Sequence, residues 1–373
     1  MDEDRRKGRS HPHSALVGEK STAGYVPRPA AHKPGFYEYL AARFDFPVSR
    51  FVDSSLMEKI EIVLVLLVSS LLPARAQRIE PVQFGDFEHW TVRHIRESSI
   101  LGGNVQTLYV VGPDETIDKN EAYDYKRTIW ASSNAYANVM GVTKTSVTVE
   151  PDQGPTGKCA RLSTRFASCK VAGLVDIKVL ATGALYWGRM FEPITGVKNP
   201  YSFMDWGIPF TKRPSALILD CKAELPATGM LTKGTTFQQK EFPGEDPCQI
   251  SLLLQYRWED EDGNIHALRV GTAVRRISRS TGWIKGMRIP VIYGDARQDS
   301  RYGAGMKLLQ GEQALYAVNS KGKRKPILEE GWADPGKPCT HAVLQIMAGS
   351  QGAFVGALGN TLWVDNIRLE YPE

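Results

Sequence analysis

The chain has 373 residues, and its 46 basic and 41 acidic side chains leave a formal net charge of only +5. That balance gives no support for nucleic-acid binding, which requires a concentrated basic face, so we expect no nucleic-acid partner. The chain is long enough to bury a substantial core without disulfide staples. Its five cysteines include no CxxC pair, which argues against a zinc site.

Residues 1–56 do not resemble part of a fold. The segment begins with dense charge and continues rich in His, Pro, Ala and Gly, without a sustained apolar period. A segment of this kind cannot bury enough apolar surface to offset the entropy of ordering. We therefore predict a disordered N-terminal extension.

Residues 57–76 have the parts of a secretory signal peptide. A short polar start is followed by the apolar run Ile62–Leu72 and then by Ala74-Arg75-Ala76, a small-x-small cleavage site. The run is too short to span a bilayer. We expect cleavage before Gln77, with Met57 as the true start. A buried helix or a membrane-anchored form with a cytoplasmic tail are the alternatives.

The mature chain, residues 77–373, is almost wholly β in pattern. Ser146–Glu150 and Cys159–Thr164 flank a turn and predict one hairpin. Gln249–Trp258 and Ile265–Val274 flank EDEDGN, in which Asp-Gly is a strong hairpin signal. Ser215–Glu224 is apolar on both parities and predicts a central strand.

Two further strands complete the pattern. Gly282–Tyr293 fits an edge strand because Pro290 cannot donate a ladder bond. Ala342–Met347 fits a core strand. Many short strands with Gly and Pro turns predict an all-β sandwich or jelly roll. The basic run Lys321–Lys325 is interpreted as an exposed hairpin loop, with a polyanion site as the alternative.

The last strand, Leu362–Tyr371, carries an acid where its alternation predicts a buried side chain. A buried carboxylate is costly unless it is paired, so Asp365 needs a partner. Asp86 and Glu88, near the start of the mature chain, are the candidates. We expect the first and last strands to lie together with an oxygen-rich clip between them, which a calcium ion could occupy. Alternatively, Asp365 caps a turn.

Aromatic residues concentrate in the loop-rich stretch Leu185–Phe210. Exposed rings stack on the C–H faces of sugars, and polar neighbours bond their hydroxyls, usually in concave sites. Alternatively, the rings fill the core, as most do. The candidate ligand-binding residues are Tyr186, Trp187, Arg189, Asp205 and Trp206.

Motifs of known enzyme classes are missing from the sequence. It contains no HExxH, GxSxG, P-loop or GxGxxG. A glycosidase needs two carboxylates but leaves no local signature. Asp205, Asp220, Glu224 and Asp365 are candidates by context alone, so no catalytic residue is assigned. Cysteine pairing also stays open, with a Cys159–Cys169 bridge and buried free thiols as the alternatives.

Several segments resemble the putative carbohydrate metabolism domain family. Trp206–Lys222 reads WGIPFTKRPSALILDCK, preceded by Leu185–Gly188 and Asn199-Pro200, and the chain closes with Val364–Leu369. The strand after Arg-Pro departs from the aromatic pattern usual in the family. The resemblance covers most of residues 85–373. It implies an exported protein of a Gram-negative bacterium with a β-sandwich fold and a link to glycan use.

The opening and closing segments are also similar to jelly-roll carbohydrate-binding modules of the galactose-binding-like type. These segments are Phe84–Glu88 and Val364–Asn366. The similarity implies a structural calcium between the first and last strands, and only Glu88 and Asp365 match well enough to be its ligands.

Together these observations predict an exported protein that binds or presents carbohydrate without catalysis. It would be secreted, periplasmic or at the cell surface, with no membrane span in its mature form. A glycoside hydrolase or lyase on the same scaffold is the first alternative, and a structural surface protein such as an adhesin is the second. The oligomeric state stays open.

Overall fold

A computed structural model describes residues 77–171, 175–196, 199–235 and 238–372, without the side chains at 168–177. The chain divides into the units Met1–Leu72 and Pro73–Glu373, and the described residues all belong to the second. The extension predicted for residues 1–56 and the signal peptide predicted for 57–76 lie outside the described residues. Within the described part, no helix is long and apolar enough to span a membrane.

Strands dominate the described residues, which contain short 3-10 helices and no α-helix. In chain order the strands are β1 (Arg78–Pro81), β2 (Trp90–Arg96), β3 (Val105–Val111), β4 (Glu115–Ile117), β5 (Trp130–Ser132), β6 (Ala135–Val139), β7 (Val142–Ser146), β8 (Val149–Gln153), β9 (Lys158–Ser163), β10 (Arg165–Val171), β11 (Val175–Ala181), β12 (Ala184–Met190), β13 (Met204–Trp206), β14 (Ile208–Pro209), β15 (Ala216–Glu224), β16 (Met230–Gly234), β17 (Gln239–Pro243), β18 (Cys248–Glu259), β19 (Ile265–Ile277), β20 (Ile284–Pro290), β21 (Ile292–Tyr293), β22 (Tyr316–Val318), β23 (Arg324–Trp332), β24 (His341–Met347), β25 (Val355–Gly356) and β26 (Thr361–Tyr371). The 3-10 helices are Ser99–Leu101, Tyr125–Arg127, Pro200–Phe203, Ala296–Gln298 and Gly311–Gln313.

Two large sheets form the sandwich. The first has six strands in the order β20-β15-β26-β9-β8, with β1 beside β26. The second has ten strands, along the path β13-β12-β24-β18-β19-β23-β22 with β5, β14 and β21 at its sides. Four smaller sheets, β10-β11, β17-β16-β25, β3-β2-β4 and β6-β7, surround them. The predicted all-β sandwich is confirmed.

The main core lies between the two large sheets. Leu217, Leu219 and Leu362 from the first sheet pack with Leu252 and Leu344 from the second, and all five are fully buried. Burial of such side chains is the main favourable term in folding. The apolar run that predicted Ser215–Glu224 as a central strand reflects this packing, because β15 is hydrogen-bonded on both sides.

The strand pairs predicted from turn signals are present. β8 pairs with β9, although this hairpin's first strand runs from Val149 to Gln153 and Ser146 ends β7 instead. The long hairpin β18–β19 joins Cys248 to Ile277 in antiparallel register. β20, which ends at Pro290, is an edge strand as expected, but the single strand predicted over Gly282–Tyr293 divides there, because β21 pairs with β19 of the other large sheet. The basic run Lys321–Lys325 contains the turn between β22 and β23. These results confirm the local interpretation of the pattern.

The first and last strands of the sandwich pair directly. β1 runs antiparallel to β26, with Arg78 opposite Tyr371 and Pro81 opposite Arg368. The chain then turns away, and the Ile367 backbone N–H donates to the Gly85 carbonyl at 2.8 Å. The closure that we expected from the sequence is therefore a continuous backbone ladder.

A β-bulge interrupts the last strand at its acid. Ile218 pairs with Arg368 whereas Asp220 pairs with Asp365, so β26 carries one residue more than β15 between these points. Asn366 accommodates the bulge by adopting a left-handed backbone conformation, with a φ of 53°. Before the bulge the even-numbered residues face the core, and after it the odd-numbered residues do. Strict alternation therefore does not hold along the whole strand. Asp365 is buried all the same, at 3% exposure.

The cysteines of the described part are buried thiols. Cys159, Cys221, Cys248 and Cys339 are free, so buried free thiols describe these four. Burial raises the pKa of Cys159 to about 12, which keeps its thiol protonated. The side chain of Cys169 lies outside the described residues.

Candidate functional site

The three aromatic rings predicted to contact a ligand are buried. Tyr186 has no exposed surface, and Trp187 and Trp206 are each 2% exposed. The expectation of an exposed aromatic surface at these three residues is therefore wrong. Burial raises the pKa of the Tyr186 hydroxyl well above its usual value. The Tyr186 hydroxyl and both indole N–H groups have no hydrogen-bond partner among the described residues.

Their burial follows from the position of β12 inside the ten-stranded sheet. β12 pairs with β5, β13 and β24, so neither edge is open. Successive side chains point to opposite faces, and both faces are covered. Trp187 packs against Trp130 at 6.2 Å between ring centroids, and Tyr186 packs against Trp206 at 4.2 Å.

The two polar residues of the same prediction do reach the surface. Arg189 lies opposite Asp205 across β12 and β13, and its Nε donates to Asp205 Oδ2 at 2.8 Å. The Arg189 side chain is 48% exposed and the Asp205 side chain 18%. Asp205 Oδ1 also accepts the Val318 backbone N–H at 3.1 Å, which ties β22 to this edge. The structure therefore separates the five predicted residues into a buried set and an exposed pair.

Two partly buried phenylalanines stand beside this pair. The Phe191 backbone N–H donates to the Phe203 carbonyl at 2.7 Å, which places the two residues opposite each other. The Arg189 guanidinium carbon lies 5.2 Å from the Phe191 ring centroid. Arg324, at the start of β23, lies 5.3 Å from the same centroid and 4.9 Å from that of Phe203. We call Arg189, Phe191, Phe203, Asp205 and Arg324 the arginine–phenylalanine surface.

Sequence reasoning identified both segments of this surface but not their contact. Phe203 belongs to the aromatic stretch, and Arg324 belongs to the basic run. Their distance along the chain exceeds 100 residues, so no local pattern reports that they meet. The aromatic stretch and the basic run were each visible, and only the sheet order brings them together.

The predicted acid cluster at the closure is present. Burial, together with the neighbouring carboxylates of Asp220, Glu88 and Asp86, raises the pKa of Asp365 to about 6, although the Asn366 N–H opposes that shift. Asp365 Oδ1 accepts this N–H at 2.7 Å. The alternative in which Asp365 caps a turn thus describes part of its bonding.

Glu88 and Asp365 contact the same turn between β8 and β9. Glu88 Oε1 accepts the Lys158 backbone N–H at 3.0 Å. A Cβ on Gly157 would lie 1.9 Å from Glu88 Oε1, so any side chain there would displace the Glu88 carboxylate. A Cβ on Gly154 would lie 3.5 Å from Asp365 Oδ2. The turn therefore brings the first and last segments of the sandwich to one place.

The donor set at this turn is rich in oxygen but small. Within the described ranges, no group of three or more His, Cys, Asp or Glu side chains is placed to hold a metal ion. Glu88 and Asp365 each use one carboxylate oxygen on a backbone N–H, which leaves a second oxygen for another donor or a cation. Calcium accepts carboxylate and carbonyl oxygens, so the residues fit calcium only if backbone carbonyls complete the shell.

A polar pocket of about 540 Å³ opens at the end of β23. Its lining includes two partly buried aromatic residues and four carboxylates, namely Tyr293, Trp332, Asp295, Asp299, Glu330 and Asp334. Glu330 faces outward because its neighbour Glu329 turns inward and pairs with the buried Arg269, at 2.7 Å between Nε and Oε1. The volume lies within the range of small-molecule sites, whereas the lining is more polar than is usual for them.

Two of the pocket's carboxylates are held in ionised form. Arg297 donates to Asp295 and Arg301 donates to Asp299, at 2.7 and 2.6 Å. These hydrogen bonds lower the pKa of Asp295 and bring that of Asp299 to about 2. A glycosidase acid needs a raised pKa so that it holds a proton near neutral pH. Asp295 and Asp299 are therefore poorly suited to that role.

A larger cavity of about 670 Å³ has a different character. Met190, Met204, Met347 and Phe354 are among the mainly apolar side chains that line it, and Trp206 forms part of one wall. A hydroxyl-rich sugar needs several hydrogen-bonding groups. This cavity is therefore a poor match for carbohydrate.

Comparison with known families supports the resemblance found in the sequence. Residues 87–270 match the family model described as putative carbohydrate metabolism domain. The match confirms the resemblance over that range and ends within β19. No curated protein matches the chain.

Two solved structures are distantly similar. Each is described as a putative glycoside hydrolase. The one from Bacteroides thetaiotaomicron shares 20% identity, covers 76% of this chain and 71% of its own, and has a TM-score of 0.42. The one from Bacteroides vulgatus shares 17% identity, covers 74% of this chain and 94% of its own, and has a TM-score of 0.41. Similarity at this level defines neither a shared fold nor a shared activity.

The raised pKa of Asp365 leads to a pH-dependent stability. Between about pH 4 and pH 6 the folded chain keeps a proton that the unfolded chain has released. The contribution of this group to the free energy of unfolding therefore falls as pH rises through that window. In chelator, Asp365→Asn should raise Tm at pH 7.5 by roughly 2–4 °C for each kcal/mol gained. The gain should shrink towards pH 4.

Thermal unfolding at pH 4 and pH 7.5 measures this difference. Asp262→Asn, in the exposed β18–β19 turn, is the matched control and should change Tm little at either pH. Equal effects of Asp365→Asn at both pH values would contradict the assigned titration.

Proposed function

Because residues 87–270 match the putative carbohydrate metabolism domain family, we propose that this chain binds carbohydrate without catalysis. It would do so as an exported accessory protein of a Gram-negative bacterium, secreted, periplasmic or on the cell surface. The predicted signal peptide over residues 57–76 supports export. The family description supports a carbohydrate partner.

The binding site that we propose is the arginine–phenylalanine surface. The observation that carries this choice is the half-exposed Arg189 beside two partly buried phenylalanine rings. Arg189 uses one nitrogen on Asp205, so its remaining N–H groups can donate to sugar hydroxyls. The rings supply apolar faces for sugar C–H groups. Arg189 and Asp205 keep the role predicted from the sequence, whereas Phe191 and Phe203 replace the buried rings.

Replacing Arg189 by Ala should weaken glycan binding at least fivefold, because it removes the exposed donors beside the rings. A glycan array with the purified chain, followed by calorimetry on the strongest hit, measures the loss. Arg127→Ala is the matched control, since Arg127 is 62% exposed and also pairs with a carboxylate, that of Glu115. Equal losses in both variants would dismiss the site.

The array also separates this function from the structural alternative. A chain that binds no glycan at all would favour a structural surface protein. Trp187→Ala is unsuitable as a probe of the site, because removing a buried Trp should cost about 3–5 kcal/mol of stability. Its effect on binding would report unfolding.

A glycoside hydrolase remains the second candidate, because the polar pocket contains several carboxylates. Arginine partners hold Asp295 and Asp299 ionised, whereas none of the described residues supplies such a partner to Glu330 or Asp334. The Glu330 carboxylate does bond His266 Nδ1, at 2.5 Å. If the pocket is catalytic, Glu330→Gln and Asp334→Asn should each lower the rate by at least 100-fold while folding is retained.

Release of reducing sugar from a polysaccharide panel tests this alternative. Asp262→Asn, in an exposed turn away from the pocket lining, serves as the control. We expect no turnover by the unmodified chain. Turnover that both pocket variants abolish would replace the binding proposal.

We further propose a structural calcium at the closure, with Glu88 and Asp365 as its carboxylate ligands. The support is the second oxygen of each carboxylate and the mutual proximity of the acids, which a divalent cation would relieve. When bound, the ion would hold the opening segment, the β8–β9 turn and the closing strand together.

Calcium at millimolar concentration should then raise Tm of the chain, because a ligand that binds only the folded state stabilises it. Glu88→Gln and Asp365→Asn should both remove the response, and Asp262→Asn should keep it. Magnesium should act more weakly, since it requires tighter octahedral geometry. An unchanged Tm of the unmodified chain in calcium would exclude the ion.

A further inference from the structure

The arginine–phenylalanine surface carries more positive charge than its carboxylate neutralises. Arg189 and Arg324 contact the same Phe191 ring, at 5.2 and 5.3 Å from guanidinium carbon to centroid. Asp205 pairs with Arg189. Arg324 is exposed, and no carboxylate pairs with it in the described part of the chain. The nearby Glu192 is not available, because it is buried in a pair with Arg93.

Backbone and side-chain bonds fix this arrangement. Phe191 and Phe203 are joined through their backbones, and the Asp205–Val318 bond brings β22, and with it the β22–β23 hairpin, to the same edge. Arg324 follows the turn of that hairpin, and this position places its guanidinium group beside both rings. A cation held by a ring face keeps its N–H edges available.

Asp205 offsets only one of the two guanidinium charges around the Phe191 ring, and a bound anion would offset the other. The guanidinium fork matches planar carboxylate and tetrahedral sulfate geometry with two parallel hydrogen bonds. Exposed Lys323 adds another cation in the adjoining turn. Apolar aromatic surface next to anion-binding forks suits a sugar ring that carries an acidic group.

We infer that this surface selects acidic glycans, in which a uronate carboxylate or a sulfate engages Arg324 while the sugar ring contacts Phe203 and Phe191. The inference rests on the proposed carbohydrate binding and adds the substrate class. It also reassigns the basic run Lys321–Lys325, whose Arg324 takes part in recognition instead of serving only as a solvated loop.

Affinity electrophoresis and calorimetry on the full chain test the inference. The probes are polygalacturonate, its fully methyl-esterified form, dextran sulfate, dextran and polyglutamate. Polygalacturonate should bind at least tenfold more tightly than its neutral ester at 50 mM salt and lose most of that advantage at 500 mM. Dextran sulfate compared with dextran shows whether sulfate replaces carboxylate.

Arg324→Ala should weaken binding of the acidic polymer at least tenfold and should remove most of the preference for the acid over its neutral ester. Arg324→Lys keeps the charge but loses the fork, so it should be intermediate. Arg279→Ala, which removes an exposed arginine elsewhere, should stay within twofold of the unmodified chain. Circular dichroism confirms the fold of each variant.

The outcomes separate the inference from the function on which it rests. Equal binding of acid and ester, with both lost in Arg189→Ala, would overturn the acidic preference and keep carbohydrate binding. Polyglutamate binding as tight as polygalacturonate would overturn glycan recognition in favour of simple charge attraction. No binding to any polysaccharide would overturn both.

Discussion

The backbone pairing of β1 with β26 is the constraint on which the rest of the sandwich depends. The opening strand lies beside the closing one, and the segment from Val82 to Glu88 then crosses to the β8–β9 turn. All the other strands lie between these two along the chain. The bulge at Asp365 and Asn366 lets the last strand face the core at both ends while its acid points to the turn.

The closure brings several carboxylates close together where solvent exposure is low. Asp365 is buried among acids, and its pKa rises because ionisation there is opposed by burial and by neighbouring negative charge. Protonation of Asp365 relieves both effects. The buried Arg269–Glu329 pair shows the other solution, in which opposite charges satisfy each other within the sheet.

Local patterns predicted much of the architecture. The Asp-Gly turn, the Cys159–Thr164 strand and the edge position of the strand that ends at Pro290 each depend on neighbours within about ten residues, and all three are confirmed. The burial of Asp365 is also confirmed. The bulge escaped prediction, because one extra residue in a strand leaves no compositional signal when Asn takes the left-handed conformation.

The candidate site was harder to predict, because exposure is a property of the assembled sheets. Tyr186 and Trp206 are aromatic residues of the kind that can stack on sugars, yet both are buried. The reason is that β12 lies inside the sheet and is covered on both faces. Arg189 and Asp205 stay at the surface because they lie at the end of β12 where β13 pairs with it.

The amino-acid sequence by itself determined the all-β class, the hairpins, the resemblance to a carbohydrate-related family and the two acids of the closure. These follow from short-range periodicity, turn chemistry and recognisable motifs. Tertiary structure alone decided which aromatic rings are buried and that Arg324 meets Phe191 and Phe203. The physical reason is that strand order joins segments more than 100 residues apart, and burial depends on what covers each face.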